Sequence, residues 1–377
     1  MRTKSTRITA GFRLLLGGLL STSAALGAAA PTATCNGLDA TIEVTAGVDL
    51  LRIEGTEGDD VMVVHGADAQ QVVDGLGGND TICAAHVEMI IAGPGHDFVQ
   101  VLDGPDIDIV VDGGEGNDEI HGSDSFHERL GGGPGDDVIH GHGGWDIIGG
   151  EDGDDIIYGN AGDDYLLGGG GTDIIYGGWG QDFLYGGDDA DLGISETPDT
   201  GDQLFGGPGD DYVVGQRGAD SLYGGDGNDI LISNESQDLA DLESTTSADL
   251  LDDAGSRMFG GAGDDLIVGS NRWDRMQGGP GNDTLFGFEG RDYVRGGPGD
   301  DNIIGGKGID DTNGNTGADH IIYEPGEMTS GGWGIDRCET STWPNAENPR
   351  ACERTGTPTL DYLPPTTYTR LHDQLAD

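Results

Sequence analysis

The sequence predicts an all-β chain wound as a parallel β-roll, a solenoid of short stacked strands. Three observations predict it. A nine-residue unit, G-G-x-G-x-D-x-U-x with U a large aliphatic residue, fills most of the 377 residues. Twenty such units keep Gly at position 4 and Asp at position 6, and in eighteen of them position 8 is Ile, Leu, Val or Met. Only Thr312 and Cys338 break that last rule. The 73 glycines follow no three-residue period, which excludes a collagen-like reading.

Each position of the unit has a physical role. Glycine lets the backbone enter φ > 0 and turn without a Cβ clash. Such a turn aims backbone carbonyls into a shared gap, and Asp at position 6 adds a carboxylate. A hard cation such as calcium takes about six to eight oxygens at roughly 2.3–2.6 Å. Positions 7–9 then read as a short strand whose middle side chain points inward. Ile148, Ile157, Leu166, Ile175 and Leu184 would stack as core. With two units to a turn, equivalent loops recur every 18 residues, and a calcium is expected between each loop and its successor.

The chain resembles the RTX (haemolysin-type) calcium-binding β-roll family over roughly residues 55–340. That resemblance implies a right-handed parallel roll with several Ca2+ ions along two edges. It makes the position-6 aspartates ligands, together with early loop carbonyls. The implied ligands are Asp137, Asp146, Asp155, Asp164, Asp173, Asp182, Asp211, Asp220, Asp229, Asp265, Asp283, Asp292, Asp301, Asp310, Asp319 and Asp336. Two units depart from the pattern and put Asp191 and Asp274 in doubt. Asp189 stands at position 4 of one, and Arg272 brings a cation to position 4 of the other.

Element by element, residues 1–30 read as a secretory signal: basic residues, then LLLGGLL, then small residues. The apolar run is too short and too Gly-interrupted to span a membrane. Export of this kind places the protein outside the cell. Residues 31–54, with alternating apolar positions in TIEV and DLLRIE, read as an N-terminal cap. Over 55–131 intact loops recur once per turn while the half-turns HGADAQQVV and GSDSFHERL have lost the motif. Calcium is therefore expected along one edge only there, with Asp60, Asp80, Asp97 and Asp118 as ligands. Strict repeats fill 132–232, with a short surface excursion at 195–205, and resume over 260–340. Between them, 233–259 is acidic and reads equally as a looped-out helix or an irregular loop. Residues 341–377 form a Thr- and Pro-rich tail.

Composition narrows the function. With 70 acidic against 17 basic residues the formal charge is −53, so the chain repels itself unless cations neutralise it. Nucleic acid is excluded as a natural partner, since phosphate binding needs a basic face. Four cysteines suit an oxidising compartment. Three pairings are possible. Cys35–Cys83 with Cys338–Cys352 is expected, because each bond would tie down one end of the solenoid. Without a CxxC pair, zinc is not expected.

No catalytic motif stands out. Histidines His140 and His142 form the tightest cluster and read as surface positions. Apolar residues at outward positions 7 and 9, such as Tyr158 and Tyr176, read as ladder packing that stiffens the roll. A contact surface for a glycan or cell-surface partner is the alternative. The sequence thus points to a secreted, non-enzymatic calcium-binding roll with a structural, adhesive or matrix role. The competing expectation is a polysaccharide-directed extracellular enzyme with its centre in 84–131.

Overall fold

In-register repetition decides the architecture. The computed structural model describes residues 6–8, 34–44, 52–65, 71–102, 109–124, 127–187, 201–216, 218–233, 255–323, 328–332, 334 and 337–340. Among them the chain forms no helix. Its strands assemble into two long parallel sheets, one of 16 strands and one of 15, with two short two-stranded pairs beside them. Successive strands alternate between the long sheets, so each full turn adds one strand to each, as in a parallel β-roll. Val138–Gly143, Ile156–Ala161 and Ile174–Trp179 are consecutive neighbours in the first sheet. Ile147–Asp152, Tyr165–Gly170 and Phe183–Gly187 are their counterparts in the second.

The inward position 8 builds the core. Ile139, Ile157, Ile175, Leu204 and Leu222 line one sheet, facing Ile148, Leu166, Leu184, Val213 and Leu231 on the other, all fully buried. Because strand neighbours pair like with like, each aliphatic side chain stacks on its equivalent one turn away. Thr312 also stands in this row at 0 % exposure, where its hydroxyl would be costly alone. Its Oγ1 donates to Thr329 Oγ1 of the next turn at 3.3 Å, which answers that cost.

Both segments read as interruptions return to the roll before their expected ends. Gln203–Pro208 already pairs with Ile174–Trp179, and Arg257–Ala262 with Ser221–Asp226. Most of the acidic stretch, 234–254, lies outside the described residues, as do Asp191 and the tail beyond 340. Within the segment read as a signal only Thr6–Ile8 is described, as a strand parallel to Ile42–Val44.

The N-terminal cap has a covalent anchor. Cys35 and Cys83 form a disulfide, with Ala40 and Val63 packed against them on the outer side of the first sheet. Cys338 is disulfide-bonded as well. Its expected partner Cys352 lies outside the described residues.

A stack of rings runs along the outside of the first sheet at position 9. His140, Tyr158, Tyr176, Phe205, Tyr223 and Phe259 lie face to face, with centroids 4.5–5.2 Å apart. That interval is the strand spacing itself. Their faces are covered by one another.

Candidate metal centres

Two ladders of carboxylates run along the two edges of the roll. In the first, each position-6 N–H donates to the Oδ1 of the aspartate one turn later. The chain of donors and acceptors is Asp60, Asp80, Asp97, Asp118, Asp137, Asp155, Asp173, Asp202 and Asp220, at 2.6–3.0 Å. It continues through Ser256 to Asp274, Asp292 and Asp310. The second ladder runs from Glu128 through Asp146, Asp164, Asp182, Asp211, Asp229, Asp265, Asp283 and Asp301 to Asp319. The structure therefore brings together every aspartate expected as a ligand except Asp336, which lies outside the described residues.

The neighbouring N–H at position 5 points the opposite way. Asp154 N–H donates to Asp136 Oδ1 of the preceding turn, Thr172 to Asp154, and Asp300 to Asn282. Adjacent amides thus grip the turns before and after, and both loop edges are fixed.

Glycine is required where these loops stack. Gly153 has φ +148°, and a Cβ there would collide with the carbonyl oxygen of Gly135 one turn earlier. At Gly150 a Cβ would run into Oδ2 of Asp155, which shows where that oxygen points: back into its own loop.

That second carboxylate oxygen is the informative atom. Oδ2 of Asp80, Asp97, Asp118, Asp137, Asp155, Asp164, Asp182, Asp211, Asp229, Asp265, Asp283 and Asp301 is buried without a hydrogen-bond partner. A buried charged oxygen left in this way costs several kcal/mol, about 1–3 even for a neutral group. Burial, reinforced by neighbouring carboxylates, pushes Asp155 and Asp182 up to about 8 and Asp97, Asp137, Asp229, Asp265 and Asp301 to about 7. The ladder N–H bonds work against that rise without cancelling it. A hard divalent cation between turns would satisfy these oxygens and remove the penalty. Among the described residues no three His, Cys, Asp or Glu side chains converge on one point. Such a cation would take most of its oxygens from loop carbonyls.

Asp60 and Asp274 are different. Thr56 donates both its N–H and its Oγ1 to Asp60 Oδ2, at 2.7 and 2.8 Å. Ser270 does the same for Asp274, at 2.6 and 3.1 Å. Asp274, in doubt because of Arg272, does hold its place in the ladder.

Two ladder members escaped the motif. Asp202 directly follows Gly201, so the one-residue gap of G-x-D is lost, yet it receives the Asp173 N–H. Glu128 sits in the degenerate half-turn GSDSFHERL and heads the second ladder one place earlier than expected. A turn of 29 residues from Asp173 to Asp202, and acceptance of Glu for Asp in a half-turn longer by one residue, would have found both.

The RTX calcium-binding nonapeptide repeat matches residues 110–125, 124–157, 158–192, 199–239, 254–285, 268–303 and 286–321. These segments span half of the chain. The chain belongs to the RTX calcium-binding repeat family. As an RTX protein it is a calcium-binding β-roll, which suits the orphaned oxygens. No curated protein matches it.

Proposed function

We propose that this RTX protein is a secreted structural element whose roll is held by calcium along both edges. The position-6 carboxylates of both ladders, from Asp80 and Asp146 onward and with Asp274 excepted, would be the side-chain ligands. Loop carbonyls of the same and the adjacent turn would complete each site. The single observation that carries this reading is the row of buried, partnerless Oδ2 atoms. When bound, calcium supplies the positive charge that lets so many carboxylates share one interior. The chain's own residues fix the spacing, through the Asp N–H to Oδ1 ladder, and exclude bulk through the position-4 glycines.

Export fits the basic and apolar N-terminus and the Cys35–Cys83 bond, which favours an oxidising exterior. The role outside the cell is adhesive or matrix-like. In the 84–131 region, offered above as a catalytic alternative, Asp97 and Asp118 continue the same ladder with Oδ1 taken by backbone N–H, which supports a roll there. The stacked aromatic rings cover one another's faces, so a glycan resting on that stack would meet ring edges.

Circular dichroism tests the reading. β-Structure is expected at millimolar calcium, the range of extracellular modules at about 10⁻⁴–10⁻³ M, and is expected to be lost in chelator. A chelated chain with its full β-signal sinks the calcium role. Glycan-array binding with and without calcium tests the adhesive role separately.

A further inference from the structure

Three histidines that the repeat does not require meet on the outer face of the first sheet. His121 ends the strand Glu119–His121, and His140 is its register partner one turn on. His142 follows two residues later in the same strand, Val138–Gly143. The Nδ1 of His121 and the Nε2 of His142 lie 3.2 Å apart. The outer nitrogen of each ring faces a carboxylate. His121 Nε2 is 2.9 Å from Glu119 Oε1, and His142 Nδ1 is 3.8 Å from Asp124 Oδ1. Both rings reach solvent, with side-chain exposures of 19 % and 36 %.

We propose that His121 and His142 form a two-histidine site for a borderline divalent transition-metal ion of the zinc, copper or nickel class. Two imidazole nitrogens about 2.0–2.1 Å from one metal sit roughly 2.9–3.4 Å apart for angles between square and tetrahedral. The observed separation lies inside that interval. A carboxylate hydrogen-bonded to the far nitrogen, as Glu119 is to His121, is the arrangement that orients metal-bound histidine and fixes its tautomer, and Asp124 adds a nearby negative charge beside His142. As neutral rings, the pair shares one inner N–H. Metal entry shifts that proton to the outer nitrogen, toward Glu119 or Asp124, and leaves both inner lone pairs for the ion.

No third His, Cys, Asp or Glu side chain among the described residues joins them on one ion. Water therefore completes the coordination. His140 borders the site without entering it: its ring is stacked between His121 and Tyr158, at 4.8 and 4.5 Å. Calcium does not compete, since it selects oxygen and imidazole suits softer cations. The site stands apart from the calcium reading and falls or survives independently of it. Its place is the seam where the irregular first turns give way to strict repeats, and an ion there would clamp one turn to the next.

The test uses the full chain in saturating calcium, so that the carboxylate ladders are filled. One equivalent of Cu(II) is expected to give an electron paramagnetic resonance spectrum with coupling to two imidazole nitrogens. Zn(II) titration should show one site, weakened at least tenfold in His121→Ala and in His142→Ala and unchanged in His65→Ala. Glu119→Gln, which leaves both ligands in place, should weaken it about 10–100-fold. Should an alanine variant lose its β-signal, the wild-type copper spectrum and Glu119→Gln decide the matter. A copper spectrum with one nitrogen or none, or equal Zn(II) affinity in folded His142→Ala and wild type, overturns the site and leaves a plain histidine–histidine hydrogen bond.

Discussion

Asp155 and Asp274 stand at equivalent places in the same ladder, and their second carboxylate oxygens keep different company. Asp155 Oδ2 is buried and partnerless, while Asp274 Oδ2 accepts two hydrogen bonds from Ser270. The loop around Asp155 carries Gly150 at position 1 and Gly153 at position 4; the loop around Asp274 carries Ser270 at position 2 and Arg272 at position 4. One ladder thus contains two kinds of turn. The first is complete only with a cation, and the second closes on its own hydroxyl. Asp60, served by Thr56, belongs with the second and stands at the N-terminal start of its ladder. The lesson is that position 6 sets the ladder, and position 2 decides whether the turn depends on calcium.

The largest effect should come from position 4. Gly153→Ala forces a side chain into a backbone oxygen at φ +148°, and should cost about 3 kcal/mol or more. Arg272→Ala, at the same position of the self-closed turn, should change the calcium-bound melting temperature little. Equal shifts in the two variants would erase the distinction between the turns.

Next come the carboxylates. Asp155→Asn keeps an Oδ1 acceptor but removes a charge, and should lower both the bound calcium count and the melting temperature in calcium, the latter by about 5 °C or more. The paired change Asp274→Asn should leave the calcium count intact. Calorimetry and atomic absorption on both variants would settle this, and matching losses would contradict it.

Acid should separate the metal-free and calcium-bound states. Burial raises Asp155, Asp182 and Asp137 to between about 7 and 8. A carboxylate raised on folding binds its proton more tightly in the folded state. Its contribution to metal-free stability is therefore fully present below the ordinary range near 4 and is lost as pH rises through about 7–8. Chelated protein should gain β-structure as pH falls from about 7.5 to about 5. Calcium competes with those protons, so its affinity should fall over the same interval. Dichroism that ignores pH in chelator would tell against the open carboxylates.

The smallest expected effect is a gain. Ser270→Gly with Arg272→Gly restores the repeat pattern, removes the hydroxyl donor from Asp274 Oδ2 and should add about one calcium per chain, read by equilibrium dialysis. An unchanged count would mean that the hydroxyl is not what closes this turn.

Much of this was legible in the sequence. The phase of Gly at position 4, Asp at position 6 and an aliphatic at position 8 already yields two stacked edges and two facing core rows, because each residue type admits few alternatives in that turn. Asp202 was hidden by an insertion that shifts the frame, and its place follows from strand pairing alone. Glu128 was hidden by a change of residue within a worn half-turn. Thr312 looked like a defect until Thr329 supplied its partner from a turn without the motif. Nothing in the spacing of His121 and His142 signals proximity, since 21 residues equal one irregular turn plus two only after the roll is built.

The opposed amides give the molecule a direction. Position-6 N–H groups always reach toward the C-terminal neighbour and position-5 N–H groups toward the N-terminal one. The two ends of the roll are therefore chemically unlike, as the ends of a filament are. Two copies meeting like end to like end could not continue the first ladder, whereas copies stacked head to tail could, an open heterologous contact of the sort that builds fibres. At the head that continuation is already taken. Thr41 Oγ1 donates to Asp60 Oδ1 at 3.2 Å, and the segment bearing it is fastened through Cys35 to Cys83. The cap thus does for assembly what a stopper does for a growing polymer.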